Sequence, residues 1–170
     1  ILLVGIFTHS PMKKLPSKTD ITELIEMSMR PAWRVGIVYS SFYKEEIEQM
    51  LSGAVETLKA VGMEEANISS YPVPGSFEIP LVGAALAKKG SVDALIGLGI
   101  IVDGQTHHAR LVAENVSRGL MDVQTQYTIP FANEVLYVDS LELAKKRLYK
   151  GEEAAISVLH SLAQLASLQS

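Results

Sequence analysis

The 170-residue sequence contains no cysteine. That excludes a disulfide framework, a thiol nucleophile and any cysteine-based zinc site, and it suits a reducing compartment. Aromatics are scarce, at 6 % with a single Trp, and basic charge is not in excess: 15 Lys and Arg stand against 19 Asp and Glu, a net charge of -4. Proteins that track phosphate backbones need clustered cations, and no such stripe is present, so no nucleic-acid partner is expected. Apolar runs are short, none approaching the roughly 20 residues of a membrane span. The opening Ile1–Phe7 segment is apolar but has no basic lead, and residues 1–30 hold one arginine, Arg30, beside Asp20, Glu23 and Glu26. Neither a membrane association nor an organellar leader is read from it, and the expected location is cytoplasmic.

What the chain does have is alternation. Its length fits one domain, and Pro31 sets an N-terminal arm, residues 1–32, apart from a main domain, residues 33–170. Arg34–Tyr39 reads as a buried strand, with Ser40 and Ser41 offered as a helix cap. Apolar positions at Ile47, Met50, Leu51, Ala54, Val55, Leu58 and Val61 draw one helix face, stopped at Gly62. A strand at 68–73, a Pro74-Gly75 turn, a helix at 79–88 stopped by Gly90, and a strand at 94–102 follow. Next come a helix at 108–126, a strand at 131–138 and a helix at 141–149, which Gly151 is expected to interrupt before a last helix to about 168. Strands alternating with helices predict an α/β fold, a parallel sheet covered on both faces.

The most informative point is the break after Ala94–Val102, where an apolar strand gives way to Asp103-Gly104-Gln105-Thr106-His107-His108 and then to a helical pattern. In open α/β sheets ligands collect at the carboxyl ends of strands, where a following helix offers free N–H groups and the positive end of its dipole. A polar cluster with two imidazoles at such an end suggests an anion site with a proton-transfer group. The loop lacks the Lys of a Walker motif and the three glycines of a dinucleotide fingerprint, so a tight turn with a Thr106 cap is the plain alternative. Asp103, His107 and His108 imitate a metal triad in composition. Adjacent side chains rarely converge on one ion, and no metal is expected.

Three other features admit two readings each. Val73-Pro74-Gly75-Ser76-Phe77-Glu78-Ile79-Pro80 is either a turn with a cap or a site where Glu78 accepts hydrogen bonds from hydroxyls. The run Lys145, Lys146, Arg147 and Lys150 is either a solvated helix face or a source of the cation the loop at 104–106 lacks. Phe42 is either a core aromatic or a stacking platform at the same sheet edge.

Taken in order, these motifs resemble the lumazine synthase family: Ser41-Phe42, Gly53-Ala54, the 73–80 segment, Gly104-Gln105-Thr106-His107-His108, Gly119-Leu120, and Lys150-Gly151 followed by Glu153-Ala154-Ala155. The resemblance spans about 34–162. It implies a three-layer, flavodoxin-like sandwich on a mainly parallel four-stranded sheet, with an N-terminal strand added to a neighbouring subunit. It also implies condensation of 5-amino-6-(D-ribitylamino)uracil with 3,4-dihydroxy-2-butanone 4-phosphate, without metal or organic cofactor. His108 and Arg147 would be the catalytic pair, with Arg147 as the phosphate's cationic partner. Phe42 would stack on the pyrimidine, Ser76, Phe77 and Glu78 would hold the ribityl chain, and Gly104, Gln105 and Thr106 would bind phosphate. Ile101, Val102, Asn133 and Lys150 would complete the substrate contacts. Self-association as a pentamer, or as a shell of pentamers, is also implied.

This chain departs from the family pattern at Asp103, where Arg is usual, at Gln105, Ala109 and Arg110, and at Asn133, where a Phe usually closes over the pyrimidine. The segment between Arg147 and Lys150 is also several residues shorter. The second expectation is therefore a non-catalytic relative that binds lumazine or flavin, or forms a shell, with a drifted site.

Overall fold

A computed structural model describes residues 32–168. Apart from residue 32, the expected arm lies outside the described residues, and so does the strand expected at its start. Four strands, β1 (Val35–Ser40), β2 (Ile68–Val73), β3 (Ala94–Val102) and β4 (Phe131–Val138), pair in the order β2-β1-β3-β4, and every pairing is parallel. Five helices, α1 (Lys44–Ala60), α2 (Ile79–Lys89), α3 (His108–Tyr127), α4 (Leu141–Lys145) and α5 (Lys150–Leu168), connect and cover them. Among the described residues no helix is long and apolar enough to cross a membrane.

β3 is buried along its first seven residues, which is why it reads as an unbroken apolar run: a central parallel strand is covered on both faces. Its alternate residues feed two cores. Ile96, Leu98 and Ile100 join Ile37, Met50, Leu58 and Leu159 under α1 and α5, whereas Leu95 joins Val38, Val116, Leu120 and Phe131 under α2 and α3. The path from β1 through α1 to β2 runs one way across the sheet, and the return through α2 to β3 runs the other. The reversal places a topological switch point between the carboxyl ends of β1 and β3, where open α/β sheets bind ligands.

Two helix boundaries differ from the sequence reading. α1 starts at Lys44 after Tyr43, which takes the left-handed conformation at φ 55°, and neither Ser40 nor Ser41 caps it. Those hydroxyls are used at the strand ends instead. Gly151 does not interrupt a helix: α4 stops at Lys145, a hydrogen-bonded turn follows with Lys150 N–H donating to the Arg147 carbonyl at 2.9 Å, and Gly151 lies in the first turn of α5. A Cβ built on Gly151 would fall 1.9 Å from the carbonyl oxygen of Met50. The glycine is there to let α5 lie against the α1 backbone. Gly62 (φ 92°) and Gly90 (φ 65°) take the left-handed conformation just beyond the helices they end, as their positions predicted.

Candidate functional site at the carboxyl end of the sheet

At the end of β1 the Ser41 hydroxyl donates to the Val73 carbonyl at 2.8 Å, and the Phe42 N–H donates to Ser40 Oγ at 3.2 Å. The first bond ties the ends of β1 and β2 together, and Phe42 is left 64 % exposed. An aromatic so exposed is not a core residue, which removes that reading of it. Its ring lies by Gly75, where a built Cβ would come within 3.5 Å of Phe42 Cε2. Gly75 in turn donates its N–H to Glu78 Oε2 at 3.0 Å, so the Glu78 carboxylate holds the turn that opens α2. Both readings of that turn are thus compatible: it is a capped turn, and its carboxylate stands beside an exposed aromatic. Phe77 is 58 % exposed, while Ser76 is buried at 6 %. Ser76 fits because Gly99 carries no side chain: a Cβ there would sit 2.4 Å from Ser76 Oγ.

Ile101 and Val102 are half-buried where β3 leaves the core. Asp103 extends the ladder by one bond, its N–H donating to the Val138 carbonyl at 2.8 Å, and its Oδ1 accepts the Gly104 N–H at 3.0 Å. Gly104, Gln105, Thr106, His107 and His108 are all exposed. The His108 N–H donates to Thr106 Oγ1 at 3.4 Å, and the His107 carbonyl accepts the Leu111 N–H at 3.0 Å, so the loop turns directly into α3 with both imidazoles at its N-terminal end. Among the described residues no group of three His, Asp or Glu side chains is placed to hold a metal ion.

On β4, Asn133 Nδ2 donates to Ser117 Oγ at 3.1 Å and its Oδ1 accepts the Val135 N–H at 3.2 Å, so its amide is held against α3. Strand alternation puts Asn133, Val135 and Tyr137 on that same face. Tyr137, 43 % exposed and paired with Ile101 across the sheet, has Asp103 and Arg110 as charged neighbours. Burial, followed by the Asp103 carboxylate, raises the phenol above its ordinary range, against the opposing pull of Arg110. Arg110 itself is paired with Glu114, Nε to Oε1 at 2.7 Å.

Two sequence candidates stand apart from this cluster. Arg147 is exposed, and its guanidinium donates to the Leu143 carbonyl of its own turn at 3.0 Å. Lys150 pairs with Glu153, which raises its pKa, at the start of α5. Its second acidic neighbour is Glu134, one position along β4 from Asn133 and therefore on the opposite face of the strand. Burial pushes the Glu134 carboxyl up to about 7, with Lys150 pulling against that shift.

Tyr137 and Glu134 were not singled out from sequence. The period-two pattern along 131–138 carries a signal for Tyr137, since a polar Asn133 and a hydroxylated Tyr137 share a face with the strand end. A groove of about 600 Å³ was also missed. Gln124, Thr128, Ile129, Pro130, Gln164 and Leu168 are among the residues lining it, and it lies at the amino end of β4, away from the switch point.

An exposed aromatic after β1, a carboxylate-held turn after β2, and a polar loop with two imidazoles after β3 all stand at the carboxyl ends of neighbouring strands. The chain is an open, doubly wound α/β protein with a candidate ligand site at its topological switch point. The match is narrower than that class. The family model for 6,7-dimethyl-8-ribityllumazine synthase covers residues 32–166, and the chain belongs to this family of transferases of riboflavin biosynthesis.

Proposed function

We propose that the chain catalyses the condensation of 5-amino-6-(D-ribitylamino)uracil with 3,4-dihydroxy-2-butanone 4-phosphate to 6,7-dimethyl-8-ribityllumazine, releasing phosphate and water. The observation that carries this reading is the placement of Phe42, the Gly75–Glu78 turn and the 103–108 loop at the carboxyl ends of the adjacent strands β1, β2 and β3, in a chain of that family. Phe42 supplies a flat apolar face for the pyrimidine. The Glu78 carboxylate accepts hydrogen bonds from ribityl hydroxyls, with Ser76 and Phe77 bounding that chain. Backbone N–H groups of Gly104, Gln105 and Thr106 at the head of α3 bind the phosphate. His108 moves protons as the imine forms, phosphate leaves and the ring closes.

Arg147 is the proposed cationic partner of the phosphate, and Lys150 a contact to the ring or ribityl group. In the single chain both are engaged elsewhere, so Arg147 would have to exchange its bond to the Leu143 carbonyl for the phosphate. The exposed apolar side chains Phe42, Phe77, Leu81 and Leu111 all sit in segments leaving the carboxyl ends of strands, which supports self-association around the site. A pentamer or a shell of pentamers is the assembly proposed.

Purified protein given both substrates should develop lumazine fluorescence, with native mass recorded on the same sample. His108→Ala should lower kcat by about a hundredfold or more while pyrimidine binding persists. Equal turnover in variant and parent refutes the proton-transfer assignment, and the same loss on His107→Ala alone moves it to the neighbouring imidazole. Binding of ribityl ligands without any turnover would make the chain a non-catalytic relative.

A further inference from the structure

We propose that the Asp103 carboxylate is a built-in competitor of the substrate phosphate for the Gly104 amide, so that this site takes phosphorylated substrates weakly and discriminates by anionic charge. The proposal rests on the phosphate reading of the 104–106 loop given above. A helix N-terminus attracts anions through N–H groups that have no partner. Here the first amide of the loop already has one, since Gly104 N–H donates to Asp103 Oδ1 at 3.0 Å. The acceptor is itself an anion, so it satisfies the amide as a phosphate oxygen would, and it also repels an incoming dianion.

The backbone of Asp103 is anchored to the end of β4, its N–H donating to the Val138 carbonyl at 2.8 Å, which keeps its carboxylate beside the Gly104 amide. Arg110, the cation that follows the loop in α3, pairs with Glu114 at 2.7 Å, so its charge is already shared with another carboxylate. Asp103 therefore sets how strongly the loop holds an anion.

The test measures inorganic phosphate as a competitor of the phosphorylated substrate, together with KM for each substrate, in the parent, in Asp103→Ala and in Asp103→Asn. Asp103→Ala both frees the amide and removes the charge. It should tighten phosphate and lower KM for the phosphorylated substrate by about tenfold, leaving KM for the pyrimidine unchanged. Asp103→Asn removes the charge but keeps an acceptor, and should fall between parent and Asp103→Ala. Unchanged or weaker phosphate binding in Asp103→Ala, in a parent that turns over, overturns the competitor role and leaves the phosphate site standing. If phosphate binds neither the parent nor any variant while the pyrimidine still binds, the phosphate reading itself fails. Asp103 is exposed, so melting temperatures should stay level across the set and keep the binding data interpretable.

Discussion

The two faces of the sheet are built to different specifications. Under α1 and α5 the contacts are apolar and close, to the point that Gly151 meets the backbone of Met50. Under α2 and α3 the packing is close where Gly119 admits Pro80, Gly83 admits the Phe131 ring and Gly99 admits Ser76. Along β4 and its neighbouring loop it gives way to Asn133, bonded to Ser117, and to the exposed Tyr137 and Asp103. One face is apolar along the sheet; the other turns polar toward the carboxyl ends of β3 and β4. Polar side chains tolerated on a strand face mark where packing has been relinquished.

The sharpest way to break that comparison is to add one methyl group to the first face. Gly151→Ala improves helix propensity by nearly 1 kcal/mol, yet its Cβ would sit 1.9 Å from Met50 O. A carbonyl oxygen in the middle of α1 cannot rotate aside, so the two helices must separate along the core they share. A loss of about 3–5 kcal/mol is expected, read as a lowered midpoint in chemical denaturation. A melting curve like the parent's would mean that α5 is only loosely laid on α1.

The second test concerns the one acidic group on the first face of β4. Burial holds the Glu134 carboxyl at about 7, above its unfolded value. Between those two values the folded state binds the proton that the unfolded state has released, so the fold loses stability as pH rises from about 5 to about 7. Glu134 is partly open to solvent and sees Lys150, and with that screening the effect is on the order of 1–2 kcal/mol. Glu134→Gln should remove this part of the pH dependence and leave the protein the more stable of the two at pH 8. Parallel stability curves for the parent and Glu134→Gln would show that the carboxylate ionises at no cost.

The same contrast explains what could be read in advance. β3 and β4 were bounded correctly because a buried parallel strand writes its limits as an apolar run, and Gly62 and Gly90 were read as stops because a left-handed residue after a helix is a local requirement. Gly151 was misread for the opposite reason. Its role is set by Met50, a hundred residues earlier, and nothing nearby distinguishes a glycine that ends a helix from one that admits a neighbour. The site divides in the same way. Phe42, the 75–78 turn and the 103–108 loop follow directly from strand ends, so an alternation of elements is enough to bring them together. Tyr137 belongs with them only through the pairing of β4 with β3, and Arg147 and Lys150 were grouped with them on charge and on resemblance, neither of which fixes a place in the fold.

The smallest expected effect on stability comes from the same methyl group placed at the other end of the molecule. A Cβ on Gly104 would meet no atom within 4 Å, and its φ is outside the left-handed region that favours glycine. Gly104→Ala should therefore leave stability within about 0.5 kcal/mol of the parent, with a slight gain if the more restricted unfolded chain outweighs everything else. The methyl group would nonetheless stand beside the amide proposed to receive phosphate. Weaker phosphate binding at an unchanged melting temperature would mark the loop as a surface kept open for a ligand. A drop of several degrees would mean instead that the 103–108 loop supports the fold, and the two faces would then differ less than their contacts imply.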